Sequence, residues 1–341
     1  MAHALSFING LAEFAYLSTE GTAWHGYGQA VEPNQPLEAW AQASNMANWS
    51  IKAAPALFYN AETGDVTQYN RKQVLFRSDN GKPLSDVSYM YNVVQPMEVL
   101  EFFQNIIDEM GFEMSTCGVL FDGRKYWAQA NIGQTVHILG KDRVDGKLLL
   151  ATSCDGSMAT TAQYTTVRVV CNNTLRMATG SENDRVRIMH GGKFGAAQVQ
   201  KILGLRPDAM SEWARIAEAM AQYKLTNTQA VEFFQRVITQ VDSRPELNLP
   251  ATVEQLAAYN EDALLADSNK AIKSIYELYS GAAQGTQYAP DTLWQAVNAV
   301  TEYSDHHRKT KTVDARVDSA WFGRDAKTKD RAWEEALLMA A

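Results

Sequence analysis

Between Pro96 and Met110 the apolar residues Val99, Phe102, Phe103, Ile106, Ile107 and Met110 recur at intervals of three and four. That spacing lines one side of a helix. Pro96 suits its first turn, where an N–H is spare in any case, and Gly111 suits the left-handed cap at its end. On either side the period is that of strands. Ala56–Tyr59 and Gln73–Arg77 are short β-prone runs around the turn Glu62-Thr-Gly-Asp65, and Asn80-Gly-Lys-Pro83 marks a second turn. The strongest hairpin signal joins Thr116–Phe121 to Lys125–Ile132 through Asp122-Gly123. Further strands are expected at Thr135–Leu139 and Lys147–Thr152, and Thr160–Val170 is rich in β-branched residues.

After about residue 195 helical periodicity takes over. It covers Ala209–Tyr223, Thr228–Val241, Thr252–Ser280, Pro290–His307 and Arg324–Met339, with Pro245 and Pro250 breaking the second from the third. Pro36–Ala47 is a candidate helix in the first fifty residues, where Trp24-His-Gly-Tyr-Gly28 reads as a turn. The fold class is α+β: a strand-rich antiparallel N-terminal part with an amphipathic helix packed on it, then a helical C-terminal part. The divisions expected are an arm and helix over 1–50, an α+β core over 51–195 and a helical region over 196–341.

Composition narrows the function. With 46% hydrophobic and 10% aromatic residues, the chain can bury a core. Its net charge of −8 excludes a uniformly basic coat and leaves room for a local basic groove. Cys117, Cys154 and Cys171 are odd in number and far apart, which argues against a disulfide framework and a C-x-x-C zinc site. Reduced thiols point to the cytoplasm. Apolar runs stop short of the ~18 residues of a membrane span. Met1–Ala15 lacks Lys and Arg and carries Glu13, unlike a secretory signal.

Two segments are basic. Arg168 to Arg206 holds seven cations, Arg168, Arg176, Arg185, Arg187, Lys193, Lys201 and Arg206, against Glu182 and Asp184; its +5 inside a chain of −8 leaves −13 elsewhere. Such a stretch can follow a phosphate backbone, or it can be a solvated loop that offsets the acidic remainder. The tail from Glu302 to Arg331 mixes cations, among them Arg308, Lys309 and Lys311, with Tyr303 and Trp321, and its net charge is +2. Bases stack on aromatic rings while cations hold phosphates, so Trp24, Tyr303 and Trp321 are candidate stacking residues. The other reading of the tail is a salt-bridged helix pair with Trp321 and Phe322 buried.

Enzyme motifs are weak. G-x-S-x-G, Walker A, G-x-G-x-x-G and H-E-x-x-H are all missing from the sequence. Cys171 ends an apolar run and reads as a core thiol. No resident cofactor is implied, although Asp122, Asp142, Asp145 and Asp155 could meet around magnesium in the folded chain.

Trp24-His-Gly-Tyr-Gly28, Asp155-Gly-Ser157, Arg168-Val-Val-Cys-Asn-Asn-Thr-Leu175, Ala299-Val-Thr-Glu-Tyr-Ser-Asp-His306 and Asp318-Ser-Ala-Trp-Phe-Gly323 together resemble the phage/plasmid-like proteins defined by domain of unknown function 932. The resemblance runs from about residue 20 to 338 and implies a mobile-element protein inside a bacterium. The element order is also similar, by architecture alone, to phage single-strand annealing recombinases of the Red-beta and RecT type. That likeness implies a ring or filament with single-stranded DNA in a basic groove. The strands Ala56–Tyr59 and Gln73–Arg77 are candidate edges for a neighbouring subunit. A metal-dependent nuclease and a host-directed protein-binding effector, such as a defence inhibitor, remain the alternatives.

Overall fold

The computed structural model describes residues 7–8, 10–20, 27–168, 171–174, 185–188, 209–239, 261–283 and 286–340. Its architecture is α+β, strand-rich first and mostly helical afterwards. The strands are β1 (Phe7–Ile8), β2 (Leu11–Ala12), β3 (Phe14–Leu17), β4 (Gln29–Val31), β5 (Ile51–Tyr59), β6 (Val66–Arg77), β7 (Pro83–Ser88), β8 (Glu113–Leu120), β9 (Lys125–Ile138), β10 (Asp142–Ser153), β11 (Thr160–Arg168), β12 (Cys171–Thr174) and β13 (Arg185–Ile188). The main sheet runs β12-β11-β10-β9-β8-β3-β4, and β13 pairs with the other half of β11. A separate sheet has the order β5-β6-β7.

Long hairpins build the main sheet. The expected strands at 125–132 and 135–139 are one strand, β9, which passes a bulge opposite Gly146 without ending. A bulge adds residues to one strand and leaves the ladder continuous. The turn between β8 and β9 is a short helical turn at Phe121–Gly123, with Phe121 and Asp122 both in the left-handed region.

The described α-helices are α1 (Leu37–Ala43), α2 (Pro96–Met110), α3 (Ala209–Gln222), α4 (Asn227–Thr239), α5 (Glu261–Asp267), α6 (Lys270–Glu277), α7 (Leu293–Glu302), α8 (Val313–Trp321) and α9 (Arg324–Ala340). Helix α2 has the bounds its periodicity predicts. Gln95 and Glu98 close a capping box at its start, and Gly111 ends it at φ 67°. The Gln95 side chain also bonds both backbone groups of Ile51, which ties α2 to the start of β5.

The main sheet is covered on both faces. On one, Tyr126, Ala128, Ala130, Leu148 and Leu150 join an apolar cluster that continues through Val99 and Phe103 of α2 and Trp213 of α3 into the helical part. Helix α7 is buried on all sides. Its Trp294 donates to buried Asp142 at 2.8 Å and packs against Trp213 and Trp333. On the other face Phe14, Trp127, Leu149 and Ala151 meet Val317, Ala320 and Trp321 of α8. Gly118 makes room there: a Cβ on it would stand 2.5 Å from the Trp127 ring.

Cys117 and Cys154 are buried thiols, and burial pushes both up to about 12. A buried thiol kept protonated is a poor nucleophile. Native protein titrated with an aromatic disulfide reagent is therefore expected to expose at most one of its three thiols, and all three after unfolding. Two fast native thiols would contradict this packing.

Candidate functional site

Residues directly opposite in neighbouring strands share a face. Thr116, Gln129, Leu149 and Gln163 form such a row across β8 to β11. The next row holds Asn131, Lys147 and Thr165. These residues create a polar band on the face covered by α8 and α9. Thr116, Gln129, Lys147, Gln163 and Thr165 are all buried. Between the band and its cover lies a small cleft, with room for no more than about one water molecule, lined by Gln129, Leu149, Gln163, Thr165, Ala320, Trp321 and Lys329.

The cations of this face are matched by acids. Lys147 donates to Glu20 and to Ser115, and Asn131 donates to the same Glu20. Lys329 pairs with Asp305 at 2.7 Å, with exposures of 3% and 1%. Lys125 pairs with Asp318, and Arg308 with Asp325. Burial pushes the Glu20 carboxyl up, but Lys147 and the bonds from Lys147, Asn131 and Ser115 outweigh it and hold it below its ordinary 4.5. A lowered carboxyl stabilises the fold above its unfolded value and stops doing so as pH falls through its folded value. Wild type is thus expected to lose stability from about pH 4.5 downward, and Glu20→Gln to flatten part of that slope in urea titrations at stepped pH. Identical acid slopes would remove Glu20 as a contributor.

The basic candidates divide. Arg185 and Arg187 lie in β13, in register with Gln163 and Thr161 of β11. The sheet therefore carries part of the basic segment to the edge of the polar band. Arg168 closes β11 opposite Cys171 of β12. Arg176, Lys193, Lys201 and Trp24 lie outside the described residues. In the tail, Lys309 and Lys311 are exposed. Arg308 is mostly buried in its pair with Asp325, where it ties the tail together. Tyr303 is half-buried against the main core. Trp321 is 5% exposed and stands edge-on to Trp127 at 5.4 Å, as the buried reading of the tail has it. Its ring is committed to the sheet, so it offers no open face for a base.

The four acids stay apart. Asp142 accepts from Trp294, Asp145 from Thr135 and Arg143, and Asp155 from the backbone of Ser157. Asp122 sits 3.7 Å from Lys82. Asp142 and Asp155 flank opposite ends of β10, roughly 35 Å apart at the rise of a strand. Among the described residues no three His, Cys, Asp or Glu side chains gather as a metal site.

At the expected edge Ala56–Tyr59 the structure adds an exposed aromatic surface that spacing does not predict. Beyond a bulge between Pro55 and Leu57, β5 and β6 leave the three-stranded sheet as a projecting hairpin. Leu57, Phe58, Tyr59, Val66 and Tyr69 there are between 52% and 65% exposed. Tyr89 and Met90 stand exposed beside its base. Lys52 and Arg71 are exposed on the same strands, and Lys72 is half-buried beside Asp86. The base of this arm is firm. Arg77 is 1% exposed, forks onto Glu13 and Asp79, and lies 4.0 Å over the Trp49 ring. Burial works against the Arg77 charge, but Glu13 and Asp79 raise its pKa on balance. Gln73–Arg77, expected as an edge, pairs on both sides because β6 is the middle strand; Ala56–Tyr59 lies in β5, which does form an edge.

Among the described residues no helix is long and apolar enough to cross a membrane. No curated protein and no solved structure matches the chain. The stretch from β7 to the end of α8, which contains the polar band, the acids Asp305 and Asp318 and the covering helix α8, is matched by the family model for Domain of unknown function (DUF932) over residues 83–321, more than two thirds of the chain, and the chain belongs to that family.

Proposed function

We propose that this is a phage or plasmid protein that binds single-stranded DNA, annealing or protecting it during recombination or replication inside the bacterial cell. The observation that carries the reading is the arm. Phe58, Tyr59 and Tyr69 are large aromatic side chains held in water on a short hairpin, with Lys52 and Arg71 on the same strands. Successive residues of β5 alternate faces, so Phe58 and Tyr59 serve opposite sides of the arm. Aromatic faces stack bases of any sequence, and neighbouring cations hold the phosphates. The basic residues of β13 and the exposed Lys309 and Lys311 supply further phosphate contacts in this reading.

Annealing needs several subunits along one strand. Among the described residues no strand pairs with the outer edge of β5, and beyond Ile51, which Gln95 bonds, that edge suits a neighbour's backbone in a ring or filament. A gel shift with labelled oligo-dT at two salt concentrations, with and without magnesium, tests the function. The expected result is intact DNA, retarded less at high salt, with a slope near −0.7 per phosphate contact. Shortened product that requires magnesium would replace this reading with a nuclease, and no shift at either salt would end it. Light scattering with and without oligonucleotide tests assembly: a strict monomer of 37.9 kDa in both would remove the annealing role.

A further inference from the structure

We propose that the outer edge of β5 pairs with the same edge of a second copy of this chain, antiparallel and about a two-fold axis at Phe58, so that two three-stranded sheets become one of six strands. The directions of the backbone groups carry the argument. Gln95 bonds the N–H and C=O of Ile51 from outside the sheet, whereas Asn60 donates inward to Asp65 across the turn. Backbone groups alternate sides along a strand. Those of Ala53, Leu57 and Tyr59, with the C=O of Pro55, therefore point away from β6, and those of Phe58 point toward Thr67. Among the described residues no strand takes up the outward groups. A row of unpaired N–H and C=O groups is a template for another strand.

Pro55 fixes the register. It has no N–H, so an axis at Ala56, which sets Leu57 against Pro55, loses a bond on either side of the axis. An axis at Phe58 sets Leu57 of each copy against Tyr59 of the other, each pair exchanging both its bonds, and leaves Pro55 beside the turn, where no donor is needed. The two Phe58 rings then stand next to each other on one face, and Leu57 meets Tyr59 on the opposite face. All three side chains are between 60% and 65% exposed in the single chain, and apolar cross-strand pairs of this kind stabilise a sheet. The same register brings the acidic turn of one arm, with Glu62 and Asp65, alongside Lys52 of the other; all three residues are exposed. Pairing by edges leaves the faces of the sheet open, so the rings can still meet bases. It also uses up both β5 edges, so a ring or filament is built from dimers through another contact.

The inference names the partner of the β5 edge and in that respect rests on the assembly proposed above, but the pairing needs no DNA. Light scattering of the full-length protein without oligonucleotide, from micromolar to near-millimolar concentration, is the first test. The mass is expected to rise from 37.9 kDa toward twice that value. Leu57→Pro removes an outward N–H from each copy and no bond to β6, and is expected to weaken the dimer by about tenfold or more. Mild oxidation of single-cysteine variants tests the register. Phe58→Cys faces its own mate across the axis at about 4.5 Å between Cα atoms, within reach of a disulfide, and is expected to link. Thr67→Cys lies on the same face one strand further in, about 14 Å from its mate, and is expected to stay free. Where Leu57→Pro misfolds, the two cysteine variants decide. A monomer at every concentration, a larger species that folded Leu57→Pro leaves intact, or linking of Thr67→Cys as readily as Phe58→Cys would overturn the pairing. A chain that is monomeric alone and assembles on oligonucleotide would overturn it and leave the annealing reading standing; a dimer that retards no oligonucleotide would do the reverse.

Discussion

Asp305→Ala is expected to destabilise the protein by about 3–5 kcal/mol, because it leaves the Lys329 ammonium buried without its carboxylate. The pair holds α9 to the turn after α7, and Lys329 also lines the cleft over the sheet. Urea denaturation reads the effect as a lower midpoint at unchanged slope. A double variant, Asp305→Leu with Lys329→Met, is expected to recover much of the loss. Replacing both members of a buried pair with apolar groups is often neutral, whereas removing one strands a charge. A loss under 1 kcal/mol for Asp305→Ala would mean that water reaches Lys329 and that the tail sits loosely on the sheet.

Much of this fold is legible from spacing alone, and the reasons for the rest are physical. Helix α2 follows from six apolar residues, a proline and a glycine, because all its determinants are local. The β8–β9 hairpin is legible for the same reason. Strand β9 was harder: Gly133 suggests an end, and only the partner strand β10 shows that the ladder continues past it. The tail was ambiguous in kind. Trp321 among cations fits both a nucleic-acid surface and a buried helix face, and the choice depends on the distant sheet residues Trp127, Leu149 and Ala151. The polar band is invisible in the sequence because its cross-strand neighbours are 13 to 20 positions apart and meet only through strand register. The arm is hidden in a different way. Ala56-Leu-Phe-Tyr59 reads as a short β-prone run and a candidate edge, and its apolar composition gives no sign that from Leu57 onward both faces are exposed.

That exposure sets the second large effect. Phe58→Ala, Tyr59→Ala and Tyr69→Ala are each expected to weaken binding of an oligo-dT strand by about 1–3 kcal/mol if a base stacks on the ring. Because these side chains stand in solvent, each is expected to change folding stability by no more than about 0.5 kcal/mol. Trp321→Ala gives the reverse signature: its ring is buried between α8 and the sheet, so it is expected to cost about 3–5 kcal/mol of stability. Fluorescence anisotropy with labelled oligo-dT and a thermal melt, run on all four variants, separate a ring that meets bases from one that meets the core. Wild-type affinity in a further variant carrying all three arm substitutions would show that the rings do not stack on bases. If that variant also lost self-association in the absence of DNA, the arm would be a subunit contact. A two-stranded hairpin is marginal by itself in water, and a partner covering these rings would supply the packing it lacks.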